Sequence, residues 1–465
     1  MDVIRRRFLT PLLSVVICVG GCGAGLSPQV SANSDASGNS TQASLSSQIF
    51  EQIPVVHIVD SPACPALPQP ESALPIVRVA AGDVEDLMRQ LRKAHPGTTI
   101  EVEDGAYVLR KKQSLRFKVP GVTLRGASGN RDAVRIEGGA SSVVISAEHI
   151  TIADITIAGP RFHAIHVRGE RGASHANIYN VRLLDAGQQF IKVSTGNNED
   201  GPYGDRGLVA CSVIEYTTYA KGNGRTPASY TNGVDILAGK GWVVRDNVFR
   251  RIRSQKGPAG PAILVWKNAQ DTVIKRNRIV DSWRGIALGL MPPGERSRGG
   301  PDARYDHQNG LVENNVILAL REPADAAIEN NFARDSRIYH NTIFYREGLR
   351  HPVTWSIEYR FPATERIEIR NNLSNLPIRM RRPFPREQAV TGGNITTANM
   401  DWFVDVLGED VHLMPDAIPI DRGVALPGSR ADFDGTRRPR GRGPDIGADE
   451  YDASPDGVAS VRKDR

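Results

Sequence analysis

Five side chains in this sequence could move a proton on an acidic sugar or steady a charge there: Lys192, Lys267, Arg284, His307 and Arg360. Cleaving a uronic-acid polymer by β-elimination needs a base beside the acidic hydrogen and positive charge at the neighbouring carboxylate. Lys192, Lys267, His166 and His307 are candidate bases. A lysine ordinarily titrates near ~10.4, so it needs burial or cationic neighbours to serve near neutrality. Arg168, Arg284 and Arg360 are candidate carboxylate clamps, because a guanidinium grips a carboxylate at two points. His166, Arg168, Asp235, Trp266, Glu329, Asn331 and Glu358 are candidate sugar contacts. Glu329 and Glu358 could instead serve as the carboxylate pair of a glycoside hydrolase. Together with Asp235 they could also hold Ca²⁺ through oxygen ligands; no other cofactor is called for.

These residues share a site only if the chain coils in register. Seven short segments repeat an apolar, variable, apolar alternation, the pattern of a strand. Their inward positions are Ile165, Ile191, Val234, Ile263, Ile286, Ile328 and Ile357, at intervals of 26, 43, 29, 23, 42 and 29 residues. One residue further, the outward column reads His166, Lys192, Asp235, Leu264, Ala287, Glu329 and Glu358. Two further on it reads Arg168, Ser194, Leu237, Trp266, Gly289, Asn331 and Arg360. Small residues at Ala287 and Gly289 would leave space for a sugar ring, and Trp266 could stack on it. Each segment is followed by a second strand holding Asn180, Ser212, Asn247, Asn277, Asn315, Asn341 or Asn372, a series suited to an inward ladder of amide bonds. The two long intervals predict inserted loops at 195–231 and 291–309. His307 closes the second of them, where a residue could fold over substrate.

The 465 residues carry a net charge of +6 that is mostly arginine, a balance that fits an anionic partner. No nucleic-acid motif is present, and a monomer is expected. Arg5–Arg7 precede an apolar run from Phe8 to Val19, the layout of a secretory signal. Residues 23–75 are rich in Ser, Ala, Gln and Pro without periodicity and read as a flexible tether. The folded domain is expected over 76–450, starting with a short helix near Val84–His95 and an Asp104-Gly105-Ala106-Tyr107 turn, and 451–465 as a disordered tail. Cys64 and Cys211 lie far apart, form no disulfide framework and are assigned no role.

Several resemblances add to this reading. Val19-Gly20-Gly21-Cys22 resembles a bacterial lipobox, which implies cleavage after residue 21, lipid on Cys22 and an exported protein held at the cell envelope. The helix, strand and D-G-x-Y order, the interleaved repeats, and the closing Asp432-Phe433-Asp434-Gly435-Thr436-Arg437-Arg438-Pro439 and Asp445-Ile446-Gly447-Ala448 resemble the pectate-lyase-like superfamily. That resemblance implies an all-β, right-handed parallel β-helix with a short capping helix. Ile263-Leu264-Val265-Trp266-Lys267-Asn268, with Asp271, is similar to the lysine rung of the alginate lyase and chondroitinase B family. By that match Lys267 is the base. This chain has apolar residues near Ala262 where that family holds calcium-binding glutamates, and Leu290 where it has an arginine. A polysaccharide lyase is the expected function; the alternatives are the Glu329/Glu358 hydrolase and a non-catalytic glycan-binding β-helix.

Overall fold

A computed structural model describes residues 64–67, 76–197, 199–300, 303–349, 354–380 and 389–453. The signal, Cys22 and most of the tether and tail lie outside them. Val77–Val79 opens the coil, and α1 (Val84–Lys93) covers its end. The Asp83 carboxylate accepts the Asp86 N–H at 2.8 Å, a standard N-cap, and Leu87 and Leu91 face the core. Tyr107 of the D-G-x-Y turn is fully buried, its hydroxyl donating to the Glu103 and Ala80 carbonyls. The helix ends two residues earlier than expected, at Lys93.

Each turn of the coil then contributes one short strand to each of three parallel sheets, of 12, 10 and 10 strands. The front sheet runs from Leu115–Phe117 through Val143–Ile145, Ile165–Arg168, Ile191–Ser194, Val234–Leu237, Pro261–Trp266, Arg284–Leu288, Ile328–Asn331 and Ile357–Arg360 to Arg379–Met380. Its register matches the sequence columns: Ile165 pairs with Ile191, Ile191 with Val234, Val234 with Ile263, then Ile286, Ile328 and Ile357 in order. All seven are fully buried. The architecture is a right-handed parallel β-helix.

A two-residue bend joins the 12-stranded back sheet to the side sheet. Its first residue is left-handed on successive rungs, from Asp154 and Asn180 through Cys211, Asp246, Arg276, Asn314 and His340 to Asn371. That conformation strains an L-residue by about 1–2 kcal/mol. The second residue repays part of it through a buried amide ladder. Asn247 donates to Asn277 at 3.0 Å, and the chain of bonds continues through Asn315, Asn341 and Asn372 to Asn394. The expected series is therefore shifted by one residue at its start: Val181, not Asn180, occupies the ladder position, and its N–H bonds Ser212. At its far end the ladder reaches one rung further, to Asn394.

Two other expectations change. The interval 195–231 is not one loop, because Leu208–Ala210 and Val213–Glu215 continue the coil inside it. It splits into an insertion at 195–207 and another at 216–233, on opposite edges of the front sheet. Cys64 and Cys211 are disulfide-bonded, with Cα atoms 5.7 Å apart. Cys211 sits at a left-handed bend, which turns its side chain out to meet the incoming segment. Leu67 packs on Ala153, Tyr179 and Ala210, and the Tyr179 hydroxyl donates to the Pro65 carbonyl at 2.6 Å. The C-terminal segment packs along the outer flank of the side sheet, where Ile446 and Ala448 meet Val280, Val316, Leu318 and Phe344. There the buried Arg438 pairs with Glu450 at 2.7 Å and donates to the Gly447 and Ala448 carbonyls.

Candidate functional site

The outward face of the front sheet forms a trough between two raised edges. On one edge the 195–207 and 291–306 insertions lock together. Arg298 stacks on Tyr203 at 3.9 Å and Arg296 donates to Asn197 at 2.8 Å. On the other, Tyr219 of the 216–233 insertion donates to Glu322 at 2.8 Å, and Arg253 reaches the same carboxylate at 3.4 Å.

Within the trough the centre is Asp235. Its carboxylate takes Lys192 Nζ at 2.5 Å and the Trp266 indole N–H at 2.8 Å. The alternation that turns residue 235 outward also turns Lys192 outward on the preceding rung and Trp266 on the next. Asp235 itself is buried, while Trp266 stays half-exposed and Lys192 retains a 13 % exposed side chain. Lys267 is not on the strand: it occupies the left-handed turn after Trp266, at φ 64°. Its N–H is held by Asp306 at 2.8 Å, and its Nζ lies 5.1 Å from the Trp266 ring centre. Weak contacts to Met291 Sδ at 4.0 Å and the Glu295 carbonyl at 3.5 Å leave that amine the less engaged of the two lysines.

One rung before Lys192, His166 Nε2 lies 2.9 Å from the Ser194 hydroxyl, which donates to Glu170 at 2.7 Å; Glu170 in turn accepts from Arg168 at 2.8 Å. Burial pulls the His166 imidazole down to about 4; Arg168 and Lys192 reinforce this and Glu170 opposes it. The ring is neutral at physiological pH. Glu170 went unnoticed in the sequence because it follows the strand in a short turn, Gly169–Arg171, that no alternation marks.

The other sequence candidates are placed differently. Glu329 and Glu358 fall on adjacent outward positions as expected, yet they are 2 % and 0 % exposed. Arg284 and Arg360 cover them: Arg284 pairs with Glu329, and Arg360 bonds Glu329 at 3.0 Å and Asn331 at 2.8 Å. Burial pushes the Glu329 carboxyl up, but the two guanidiniums outweigh it and hold it below the usual range. Arg360 also reaches Glu358, its Nε 3.5 Å from the Glu358 Oε1. Asn331 is fully buried as well. This network is a bolt inside the wall, and not a sugar-facing surface. Nor can Asp235, Glu329 and Glu358 share a Ca²⁺. Three rungs separate Asp235 from Glu329, about 14 Å at the strand spacing of a sheet.

His307 is fully buried, bonded to Thr272 at 3.1 Å, and burial drives its imidazole down to about 3. It belongs to a short inner sheet and cannot close over a substrate. Its neighbour Asp306 carries the function of that segment, accepting the Lys267, Leu290 and Met291 N–H groups and so fixing the turn that bears Lys267. Ala287 and Gly289 leave no sugar space: Ala287 is buried, and a Cβ on Gly289 would meet the Asn331 carbonyl at 1.9 Å. Asp271 serves the rim, accepting from Asn309 at 2.6 Å.

No family model and no curated protein matches the sequence. Among solved structures, pectate lyase Pel9A overlays with a TM-score of 0.54 at 13% identity, over 82% of this chain and 98% of that chain. By fold, the chain is a right-handed parallel β-helix. Looser overlays include a mannuronic acid specific polysaccharide family 6 lyase from human gut microbiota (TM-score 0.43, 15% identity, 68% of this chain and 78% of that one). They also include PfbA, a surface adhesin of Streptococcus pneumoniae (TM-score 0.42, 11% identity, 64% and 84%). At 13% identity the likeness to Pel9A bears on the coil and leaves the chemistry to the residues.

Proposed function

We propose that the front-sheet trough binds an acidic polysaccharide and that the protein cleaves a uronate-containing chain by β-elimination. The observation that carries this reading is two lysines gathered at one partly exposed indole, Lys267 over its ring and Lys192 joined to its N–H through Asp235. A sugar ring lying against Trp266 would meet Lys267 over the indole and Lys192 beyond its N–H edge. Lys192, backed by Arg168, neutralises the uronate carboxylate. Lys267, whose amine has only weak contacts, takes the proton from the carbon beside it. The electron pair of that C–H bond forms the new C=C bond, the adjacent glycosidic C–O bond breaks, and the leaving oxygen takes a proton from water. The burial of Glu329 and Glu358 counts against the hydrolase alternative, since a retaining or inverting pair must touch the glycosidic bond. One observation favours a non-catalytic glycan-binding role instead: Lys192, Arg168 and Arg360 all already have protein partners.

Export and lipid anchoring at Cys22 belong to the same proposal. The Cys64–Cys211 bond supports an oxidising compartment, where such crosslinks persist. The test is incubation with alginate, pectate and chondroitin while following absorbance of unsaturated sugar ends. Wild type should produce it on at least one polymer and Lys267→Ala should not. Full activity in Lys267→Ala would reject the assignment. Binding without any cleavage would favour the adhesive role.

A further inference from the structure

The edge between front and back sheets carries a second run of left-handed residues, including His149, His175, Arg206, Asp271, Asn309, Asp335 and Arg366. Side chains at this position leave the coil in parallel, one rung apart. His149 and His175 consequently stack, their ring centres 4.2 Å apart and their planes within 8°. Glu148 adds a carboxylate oxygen 3.9 Å from His149 Nε2. The three residues can each offer a donor atom with all three within 4.8 Å of one another. The backbone under them is fixed, since the His149 N–H bonds the Ser174 carbonyl at 3.0 Å and the His175 N–H bonds the Asp205 carbonyl at 2.7 Å. The Nδ1 atom of His175 is shielded from solvent and has no hydrogen-bond partner among the described residues.

We propose that Glu148, His149 and His175 bind a divalent transition-metal ion of the Zn²⁺ or Cu²⁺ class at this edge. Two imidazoles and one carboxylate form a mixed nitrogen–oxygen set that such ions favour, whereas Ca²⁺ and Mg²⁺ select oxygen alone. Around a tetrahedral ion with bonds of about 2.05 Å the donors stand about 3.4 Å apart, so the side chains must draw together and the two stacked rings must tilt out of parallel to aim both lone pairs at the ion. Water completes the coordination. His175 can serve as a ligand, since its Nδ1 is not engaged by any hydrogen bond among the described residues. The other clustered histidine, His412, lacks this capacity. Both its ring nitrogens are already taken, by Asp410 at 2.6 Å and Asp434 at 2.7 Å, so no lone pair remains for an ion.

The site lies on the rim and is independent of the elimination chemistry proposed for the trough. Titrating the full chain with Zn²⁺ by calorimetry at neutral pH should reveal binding that His149→Ala or His175→Ala weakens by about tenfold or more, since losing a ligand costs at least as much as losing a supporting partner. Glu148→Gln should weaken it less, and Ca²⁺ should produce no heat at the site. Copper(II) substituted there should show nitrogen coordination by electron paramagnetic resonance, lost in the double variant. Both variants change surface side chains, and an unchanged melting temperature without metal would confirm that they fold. Absence of Zn²⁺ binding, or binding unaltered in His149→Ala/His175→Ala, would overturn the proposal.

Discussion

Asp235 shows how one carboxylate organises the trough: it is buried, yet both its oxygens are bonded, to Lys192 and to Trp266. Replacing it with Ala leaves the ammonium and the indole N–H without their anchor while keeping the sheet intact. Asp235→Ala should raise KM for an acidic polymer and also lower the melting temperature, because it strands the largely buried Lys192 ammonium. Steady-state kinetics beside a thermal melt would separate the two. Glu329 is a buried carboxylate with two cationic partners and no place on the trough surface. It is enclosed by Arg284, Arg360 and Glu358, so Glu329→Ala strands buried guanidinium charge and should cost about 3–5 kcal/mol in a denaturant titration. At the C-terminal clasp, burial lowers the His412 imidazole, but hydrogen bonds to Asp410 and Asp434 outweigh it and push it up to about 11. The folded pKa exceeds the unfolded value of about 6.5, so this contribution is complete below that pH and fades as pH rises toward the folded value. His412→Gln should therefore lower the melting temperature more at pH 6 than at pH 10. The charged residues were all visible in the sequence. What was not visible was which of them would be covered: alternation gives the side of a strand, but Glu329 and Glu358 are buried by long arginines, one arriving from the start of a neighbouring strand.

Among the elements, the strands of the front sheet were the most legible because a two-residue period under an aliphatic ladder tolerates no slip. Seven inward positions read from the sequence are the seven that stack. The bends were less so. Asn180 resembles its successors by type, but the ladder position follows the left-handed residue, and only backbone register separates the two. Asn315 donates to the Ile274 carbonyl at 3.0 Å and to Asn341 at 3.0 Å. Asn315→Ala should thus destabilise by about 1–3 kcal/mol, the cost of unsatisfied buried groups, and urea denaturation would measure it. The Asp306-His307 segment was read as a flap because it ends a long interval. The three N–H groups that Asp306 accepts make it a fastening instead.

Across the whole molecule, the coil brings residues 166, 192, 235 and 266 onto one face although 100 positions separate the first from the last. The Cys64–Cys211 crosslink closes a loop of 147 residues and ties the segment ahead of the cap to the flank of the back sheet. No sequence signal pointed to that pairing, because it depends on which rung Cys211 occupies and on the outward turn of its bend. Its removal by Cys64→Ser/Cys211→Ser should lower stability by up to about 5 kcal/mol. The account of the trough is tested most directly by a crystal structure of Lys267→Ala with a uronic-acid oligosaccharide. The expected result places a sugar ring on Trp266 with its carboxylate against Lys192. Sugar bound away from the front sheet, or no binding at concentrations that occupy other acidic-glycan proteins, would contradict it.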